Sequence, residues 1–255
     1  KKMKNNLKKL PKNIFNFNTL GKAVHNAITL YYHLHLVERN KKNLKEMLKN
    51  AWLSEVMWYK KPPLGKWGGF KTIEEEREIY GQALAMLEKF FELGEIEPSI
   101  EFLPTENIKK SIDDYINLIT PLNDNFDISG KFDLITKNKD GSLNIIDFKT
   151  GRKEETDPFQ LKFYKLLAEL KFKKPVAKAS FYFLRSGNKN EFDLIDDSIE
   201  KIKKDIIQKI QKIVGTKNYE ANPSKLCKYC LFKSFCPKKK DVDEIIKDNA
   251  AEDFP

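Results

Sequence analysis

The sequence predicts a protein of the α/β (α+β) class rather than an all-helical one. Two observations lead to this expectation. Apolar residues recur at helical spacing through most of the first 95 residues, and the period changes to that of strands between about 99 and 195. A helical pattern interrupts the strands once and follows them once, so helices and strands are mixed along the chain.

The N-terminal part is predicted to be helical. Its apolar positions indicate a helical stretch over 19–60, and a loop rich in Pro and Gly follows at 61–70. Another helix is expected to begin at Thr72, since three glutamates then lie near the positive end of its dipole, and to run to about Leu93, where Gly94 ends it. The apolar positions of the first stretch are Leu20, Val24, Ala27, Ile28, Tyr31, Leu44, Leu48, Trp52 and Val56.

The middle of the chain is predicted to contain six strands. A helix at about 157–172 separates the fourth strand from the fifth, and another follows at 198–214 with isoleucines on one side and lysines on the other. The charged tail at the C-terminus is expected to be partly disordered. The strands are expected at 99–103, 115–122, 128–136, 143–148, 179–184 and 191–195.

Composition restricts the class of protein. No apolar stretch approaches the ~20 residues of a membrane helix, and the basic N-terminus leads into no signal-peptide core. Three cysteines do not form a disulfide framework, so we expect a cytoplasmic protein with no membrane partner. The formal net charge is +10, from 47 Lys and Arg against 37 Asp and Glu. This charge suits nucleic acid, but it is also typical of a lysine-rich solvated surface.

The segment 128–151 carries the candidate chemistry. In an extended strand Asp147 and Lys149 point to the same side. A three-residue turn at Lys139–Gly141 would set Asp133 opposite Asp147 on one face, whereas a two-residue turn would put them on opposite faces. Carboxylates with Cβ atoms about 5 Å apart repel unless a proton or a hard divalent cation lies between them. The alternative is an ordinary Asp–Lys ion pair on a solvated sheet face.

These residues resemble the PD-(D/E)xK nuclease superfamily, in its RecB-like branch, which includes the nuclease domains of RecB and AddB and the Cas4 exonucleases. The matching segments are GKFDLI, IIDFKTG and QLKFY, preceded by GKAVH, where Gly21 and His25 fit a helical G-x-x-x-H motif. Glu101 in SIEFLP fits a first-strand glutamate, and a C-terminal cysteine cluster is the last shared element. The order of these elements from position 21 to 236 is that of the branch.

The resemblance implies a fold and a division of the chain. The fold is a restriction-endonuclease-like core, in which helices flank a central mixed β-sheet. The expected regions are an N-terminal helical region at 1–95, a nuclease core at 96–218, and a cysteine segment with a charged tail at 219–255.

The resemblance also implies an activity. A metal-dependent exonuclease is expected, acting on single-stranded DNA or DNA ends in repair, recombination or CRISPR-type processing, with a helicase or CRISPR-type partner. Asp133, Asp147 and His25 would bind Mg²⁺ or Mn²⁺, and Lys149 would orient or deprotonate the attacking water. The alternative from another class is an inactive nuclease-like module that binds DNA or a protein within a helicase–nuclease complex.

Three further residues are assigned by the resemblance alone. Gln160 and Tyr164, four residues apart on one helix face, would hold the lysine and the DNA backbone, and Glu101 would join the catalytic set. Each has a plainer interpretation. Pairs such as Gln160 and Tyr164 are common on helices, and Glu101 fits a solvent-facing strand position equally well. His25 likewise fits a packing residue of its helix.

The cysteines form a separate motif. In the branch resembled, the spacing of Cys227, Cys230 and Cys236 supplies three ligands of a [4Fe–4S] cluster, and the fourth cysteine precedes the G-x-x-x-H motif. This sequence has no other cysteine. We therefore expect that the chain begins after that residue, that another ligand replaces it, or that the cluster is lost. Zinc and free thiols are the alternatives. Without a fourth ligand the segment beyond about 220 would be mobile, or held by its aromatic side chains.

Overall fold

The computed structural model of the chain describes residues 15–57, 68–93, 99–103 and 118–248. The predicted loop at 61–67, Gly94 and the first residues of the strand expected at 115–122 lie outside this range.

Helices form the first part of the chain, as predicted. The stretch expected at 19–60 is two helices, α1 and α2, with a short 3₁₀ turn at Leu36–Glu38 between them. The next helix, α3, begins where the glutamates predicted it, because Thr72 Oγ1 accepts a hydrogen bond from the backbone N–H of Glu75 at 3.1 Å. The six α-helices of the described residues are α1 Asn16–His33, α2 Lys41–Met57, α3 Ile73–Glu92, α4 Phe159–Phe172, α5 Ile199–Gly215 and α6 Lys239–Asp248.

A mixed five-stranded sheet lies at the centre of the molecule. Its order is β1-β4-β5-β6-β7, and every neighbouring pair is antiparallel except β5 and β6, which α4 connects in parallel. The strands β2 and β3 form a separate antiparallel pair. Their bounds are β1 Ile100–Phe102, β2 Leu118–Asn123, β3 Phe126–Gly130, β4 Leu134–Lys137, β5 Leu143–Lys149, β6 Val176–Phe183 and β7 Asn188–Asp193.

Helices cover both faces of the sheet. The side chains of Leu134, Ile146 and Phe148 lie in one buried cluster with α1, α2 and α3. Their strand neighbours Ile135 and Ile145 lie in a second cluster with α4 and α5. Because β5 is buried on both faces, its sequence is almost continuously apolar, and a charged residue within it requires a specific environment. This three-layer arrangement confirms the predicted fold class.

The prediction of a single strand at 128–136 is wrong, because the chain divides there between two sheets. A Cβ atom at Gly130 would lie 2.9 Å from Cδ2 of Leu167 and 3.2 Å from Cε1 of Tyr164, so the chain passes directly against α4 at this glycine. Phe132 is then buried with its ring centroid 4.7 Å from that of Tyr164. Packing against α4 thus ends β3 before β4 begins.

Part of the charged tail is ordered, because Lys239–Asp248 forms α6 with Val242 buried. The tail beyond α6 lies outside the described residues, so the prediction of partial disorder is not tested. Helix α6 packs on two 3₁₀ turns that carry the cysteines, and the ring of Tyr229 in the first of them lies 5.1 Å from Phe15 and 5.3 Å from Phe17. An aromatic contact therefore holds the C-terminal segment at the start of α1. Among the helices in the part of the chain that the structure describes, none combines the length and apolar character needed to cross a membrane.

Candidate active site

The turn between β4 and β5 sets the register of the two candidate acids. Asn138 donates its backbone N–H to the carbonyl of Ser142 at 2.8 Å, and Gly141 has a φ of +88°, a conformation that favours glycine. Ile135 pairs with Ile145, which confirms the three-residue turn over the two-residue alternative. Asp133, directly before β4, therefore approaches the end of β5 that carries Asp147.

Asp133 joins the N-terminal helices to the sheet. Its Oδ2 accepts the backbone N–H of Phe148 at 2.9 Å, and its Oδ1 lies 3.0 Å from Nδ1 of His25 on α1. Burial alone would lower the pKa of His25, but the charge of Asp133 and the hydrogen bond to it outweigh burial and raise this pKa above its ordinary value. The imidazole is thus held beside a carboxylate that favours its protonated form.

A glycine lets α1 approach the end of β5. A Cβ atom at Gly21 would lie 3.2 Å from Oγ1 of Thr150, the residue that follows Lys149. His25 lies four residues further along the same helix, on the same side. The spacing of the G-x-x-x-H motif therefore has a physical reason: the glycine permits the close approach, and the histidine one turn later reaches Asp133.

Four side chains form a hydrogen-bonded network around the end of β5. Lys149 Nζ lies 2.7 Å from Oδ2 of Asp147 and donates to Oε1 of Gln160 at 2.8 Å. Gln160 Nε2 donates to Oδ1 of Asp147 and to the hydroxyl of Tyr164, both at 3.1 Å. The ring of Phe181 lies 4.9 Å from the same ammonium. The amide of Gln160 thus fixes the lysine, the acid and the tyrosine at once.

The surroundings of Asp147 oppose its negative charge. Its side chain is 8% exposed, and burial together with the nearby charge of Asp133 raises its pKa to about 6. Oδ2 is buried and, despite the proximity of Lys149, accepts no well-aligned hydrogen bond from the described residues. Burial and the charge of Asp147 also raise the pKa of Tyr164 to about 12, which keeps that hydroxyl protonated at neutral pH. A cation beside Oδ2 would relieve this unfavourable arrangement.

The donor set fits a divalent cation, although its side chains are turned toward one another. Within the described residues, no group of three His, Cys, Asp or Glu side chains is arranged to hold a metal ion. His25 and Asp133 bond to each other, and Asp147 faces Lys149. Two carboxylates and an imidazole nevertheless form a ligand set suited to Mg²⁺ or Mn²⁺, and Oδ2 of Asp147, which faces Lys149 without a well-aligned hydrogen bond, is the oxygen with room for a ligand bond.

The structure does not bring Glu101 to this set. Its carboxylate pairs with Lys174, in the connection between α4 and β6, near the end of β5 opposite to Asp147. The cysteines do not join it either. Cys227, Cys230 and Cys236 are free thiols on the surface segment, and with the other described residues they form no metal-binding group.

Sequence reasoning missed two contacts at the site. The backbone N–H of Phe148 binds Asp133, but backbone groups leave no trace in residue type. Arg185 Nε donates to the carbonyl of Thr150 at 2.8 Å, and an arginine 35 residues away from its partner carries no local signal. The first contact follows from the antiparallel pairing of β4 with β5, and the second from the parallel placement of β5 and β6.

Comparison with models of protein families identifies a family for this chain. The model of the PD-(D/E)XK nuclease superfamily matches residues 4–237, which is most of the chain and includes every residue of this network. No curated protein matches the chain significantly.

Proposed function

The chain belongs to the PD-(D/E)XK nuclease superfamily, and from this premise we propose that it is a divalent-metal-dependent nuclease that hydrolyses phosphodiester bonds of DNA. The observation that carries the metal dependence is the crowding of Asp133 and Asp147: the second carboxylate is buried, and its pKa is raised to about 6 although Lys149 lies 2.7 Å from it. A carboxylate pair of this kind has little structural value, because it destabilises the folded chain until a cation neutralises it.

We assign the ligands from their positions at the end of β5. Asp133, Asp147 and His25 would hold Mg²⁺ or Mn²⁺. When bound, the ion supplies an acidified water and neutralises charge on the scissile phosphate. The imidazole favours Mn²⁺ over Mg²⁺, because nitrogen is a softer ligand than carboxylate oxygen.

The remaining residues act through position and charge. Lys149 would orient the attacking water and stabilise the negative charge that develops on the phosphate. Gln160 keeps the ammonium in place, because its Oε1 accepts a hydrogen bond from Lys149 Nζ at 2.8 Å. Tyr164, protonated at neutral pH, bonds to Gln160 and lies beside the path of the DNA backbone in this proposal. Glu101 has no part in it, since its carboxylate pairs with Lys174.

We further propose that the protein belongs to the RecB-like branch. The close packing of Gly21 on Thr150 and the contact of His25 with Asp133 support this, because they give the branch motif a role at the site. The corresponding activity is exonucleolytic, on single strands or DNA ends, in DNA repair, recombination or CRISPR-type processing beside a helicase or CRISPR-type protein. A cytoplasmic location suits its free thiols.

We retain the division into a helical region at 1–95, a core at 96–218 and a cysteine segment at 219–255. The order of elements supports it, since α1 to α3 precede the strands and the 3₁₀ turns beside the cysteines follow α5. In this proposal Cys227, Cys230 and Cys236 contribute stability, not chemistry. A [4Fe–4S] cluster on them would need a fourth ligand that is not a cysteine of this sequence.

The test is digestion of labelled DNA by the purified protein. Linear single strands, linear duplexes and circular single strands are incubated with Mg²⁺, with Mn²⁺ or with a chelator. We expect cleavage of linear single strands that needs the metal and is lost in Asp147→Ala, with circular strands spared if the enzyme acts from ends. Binding of DNA without cleavage under every condition would support the inactive-module alternative and refute the proposed activity.

A further inference from the structure

A cavity of about 270 Å³ opens directly beside the candidate active site. It is lined by the start of α1, including Gly21, and by Thr150, Gly151 and Arg185. Thr150 follows Lys149 in the chain, so their Cα atoms are about 3.8 Å apart. The cavity therefore borders the end of β5 that carries Lys149, although Lys149 itself does not line it.

The cavity carries positive charge only. Arg185 is the one charged residue among those that line it, and no described carboxylate pairs with this guanidinium. Its described bonds use Nε, which donates to the carbonyl of Thr150 at 2.8 Å, and Nη1, which donates to Oε1 of Gln82 at 3.0 Å. These neutral partners hold the side chain rigidly and leave Nη2 without a described acceptor.

The electrostatic surroundings disfavour a cation there in the absence of an anion. Burial and, secondarily, the positive charge of Arg152 lower the pKa of Arg185 below its ordinary value. A partly buried guanidinium whose described partners are all neutral is typical of sites that bind phosphate or carboxylate groups.

Gly151 leaves room for the anion. A Cβ atom at Gly151 would meet no heavy atom within 4 Å, so the backbone borders open space there. By contrast, the cavity of about 340 Å³ between α2 and α3 is lined by Glu76 as well as by Lys49 and Arg77, and therefore carries charges of both signs. Of these two cavities, the one beside Lys149 is the one suited to an anion.

We propose that this cavity is a phosphate subsite, in which Arg185 binds a phosphate of the nucleic-acid strand adjacent to the scissile one. The inference rests on the proposed nuclease function and adds the feature that sets the strand in register with Lys149. The bound group is a phosphate in either of two cases. It is an internal phosphate of a continuing strand, or a terminal phosphate at a DNA end. An internal phosphate would make the subsite a guide for the backbone, and a terminal phosphate would make it a recognition site for ends.

Equilibrium binding tests the subsite separately from cleavage. Short fluorescent oligothymidylates bearing a 5′-phosphate, a 3′-phosphate or hydroxyls at both ends, together with a circular strand, are titrated with the protein in Ca²⁺. The variants are Arg185→Gln, Arg185→Lys, Gly151→Asp and Gly151→Asn. Gly151→Asp places a carboxylate in the cavity and leaves Arg185 intact, and Gly151→Asn is its neutral control of equal size.

We expect Arg185→Gln and Gly151→Asp to weaken binding about tenfold or more, and to lower the slope of log affinity against log salt by about one. Arg185→Lys and Gly151→Asn should retain most of the affinity. A loss confined to oligonucleotides with one phosphorylated end identifies a terminal phosphate, and an equal loss on all strands identifies an internal one.

Unchanged affinity and salt slope in folded Gly151→Asp would overturn the subsite, even if Arg185→Gln fails to fold. Cleavage data keep the two proposals distinct. If the wild type cuts DNA and Gly151→Asp cuts it with the same KM and kcat, the subsite is wrong and the nuclease function stands. If the wild type never cuts but the variants lose affinity as expected, the nuclease function is wrong and phosphate binding at the cavity stands.

Discussion

Helix α4 contributes to two lysine–carboxylate sites at opposite ends of the sheet, and the two differ in how well their charges are satisfied. Lys165 has a side chain only 3% exposed, yet its Nζ contacts Glu169 at 2.6 Å and the carbonyl of Val176 at 3.2 Å. Glu169 in turn accepts the backbone N–H of Val176 at 2.8 Å. At the other end Lys149 faces Asp147 at 2.7 Å, and the buried Oδ2 of that acid still has no well-aligned donor.

The difference lies in the neighbours rather than in the pair. Glu169 is the only carboxylate described in contact with Lys165, and backbone groups complete the bonding of both side chains. Asp147 has a second acid, Asp133, close enough to raise its pKa. A lysine–carboxylate pair therefore stabilises the fold where its bonding is complete, and marks a functional site where an extra negative charge remains to be neutralised.

The largest expected difference is in catalysis. Removal of the ammonium in Lys149→Met should lower the cleavage rate about 10³-fold, since this group is assigned to the attacking water and the developing charge. The melting temperature in metal-free buffer should also fall, because Asp147 is left buried beside Asp133 without the ammonium. Single-turnover cleavage of linear DNA measures the rate. A variant that cuts at close to the wild-type rate would remove Lys149 from the mechanism.

At the Lys165–Glu169 pair we expect a loss of stability without a loss of activity. Lys165→Ala leaves Glu169 and the Val176 carbonyl with unsatisfied buried groups and should cost about 3–5 kcal/mol in the free energy of unfolding. Cleavage per folded molecule should be unchanged. Urea denaturation followed by circular dichroism measures the free energy of unfolding, and the DNA digestion assay measures cleavage per folded molecule. The double variant Lys165→Met/Glu169→Leu should recover part of the loss, because it removes both charges.

The pH dependence of the free energy of unfolding should reveal the unfavourable charge of Asp147. The pKa of Asp147 is about 6 in the folded chain and near 3.8 when unperturbed, so the folded state binds more protons between these values and loses stability as the pH rises through them. The raised pKa of His25 acts in the same direction. In metal-free buffer, Asp147→Asn should therefore stabilise the protein at pH 7 by up to about 3 kcal/mol and hardly at pH 4. Denaturation curves at several pH values test this, and a difference that does not depend on pH would contradict it.

A smaller effect is expected from the residues that hold Lys149. Gln160→Ala breaks the bonds to Lys149, Asp147 and Tyr164 and should lower kcat about 10–100-fold. Tyr164→Phe removes one hydroxyl and should have a smaller effect than Gln160→Ala. Glu101→Gln is the control at the remote end and should leave kcat unchanged, so a large loss in that variant would return Glu101 to the catalytic set.

Local sequence signals predicted much of this arrangement. The Asp140–Gly141 motif predicted the turn and left two registers open, of which the structure has the one that brings Asp133 toward Asp147. The glutamates after Thr72 predicted the start of α3. Contacts between distant segments were out of reach. The end of β3 at Gly130 depends on α4 packing against it, and the pairing of Glu101 depends on Lys174, 73 residues further along the chain. Neither contact produces a periodic pattern in the sequence.

The central claim is that a divalent cation belongs between Asp133 and Asp147, and calorimetric titration of Mn²⁺ into the metal-free protein tests it most directly. We predict saturable binding to the wild type and to Glu101→Gln, and at least about tenfold weaker binding to Asp133→Asn and Asp147→Asn. Bound Mn²⁺ should also raise the melting temperature of the wild type and not that of Asp147→Asn. Equal affinity for Mn²⁺ in the wild type and in both folded Asn variants would contradict the claim.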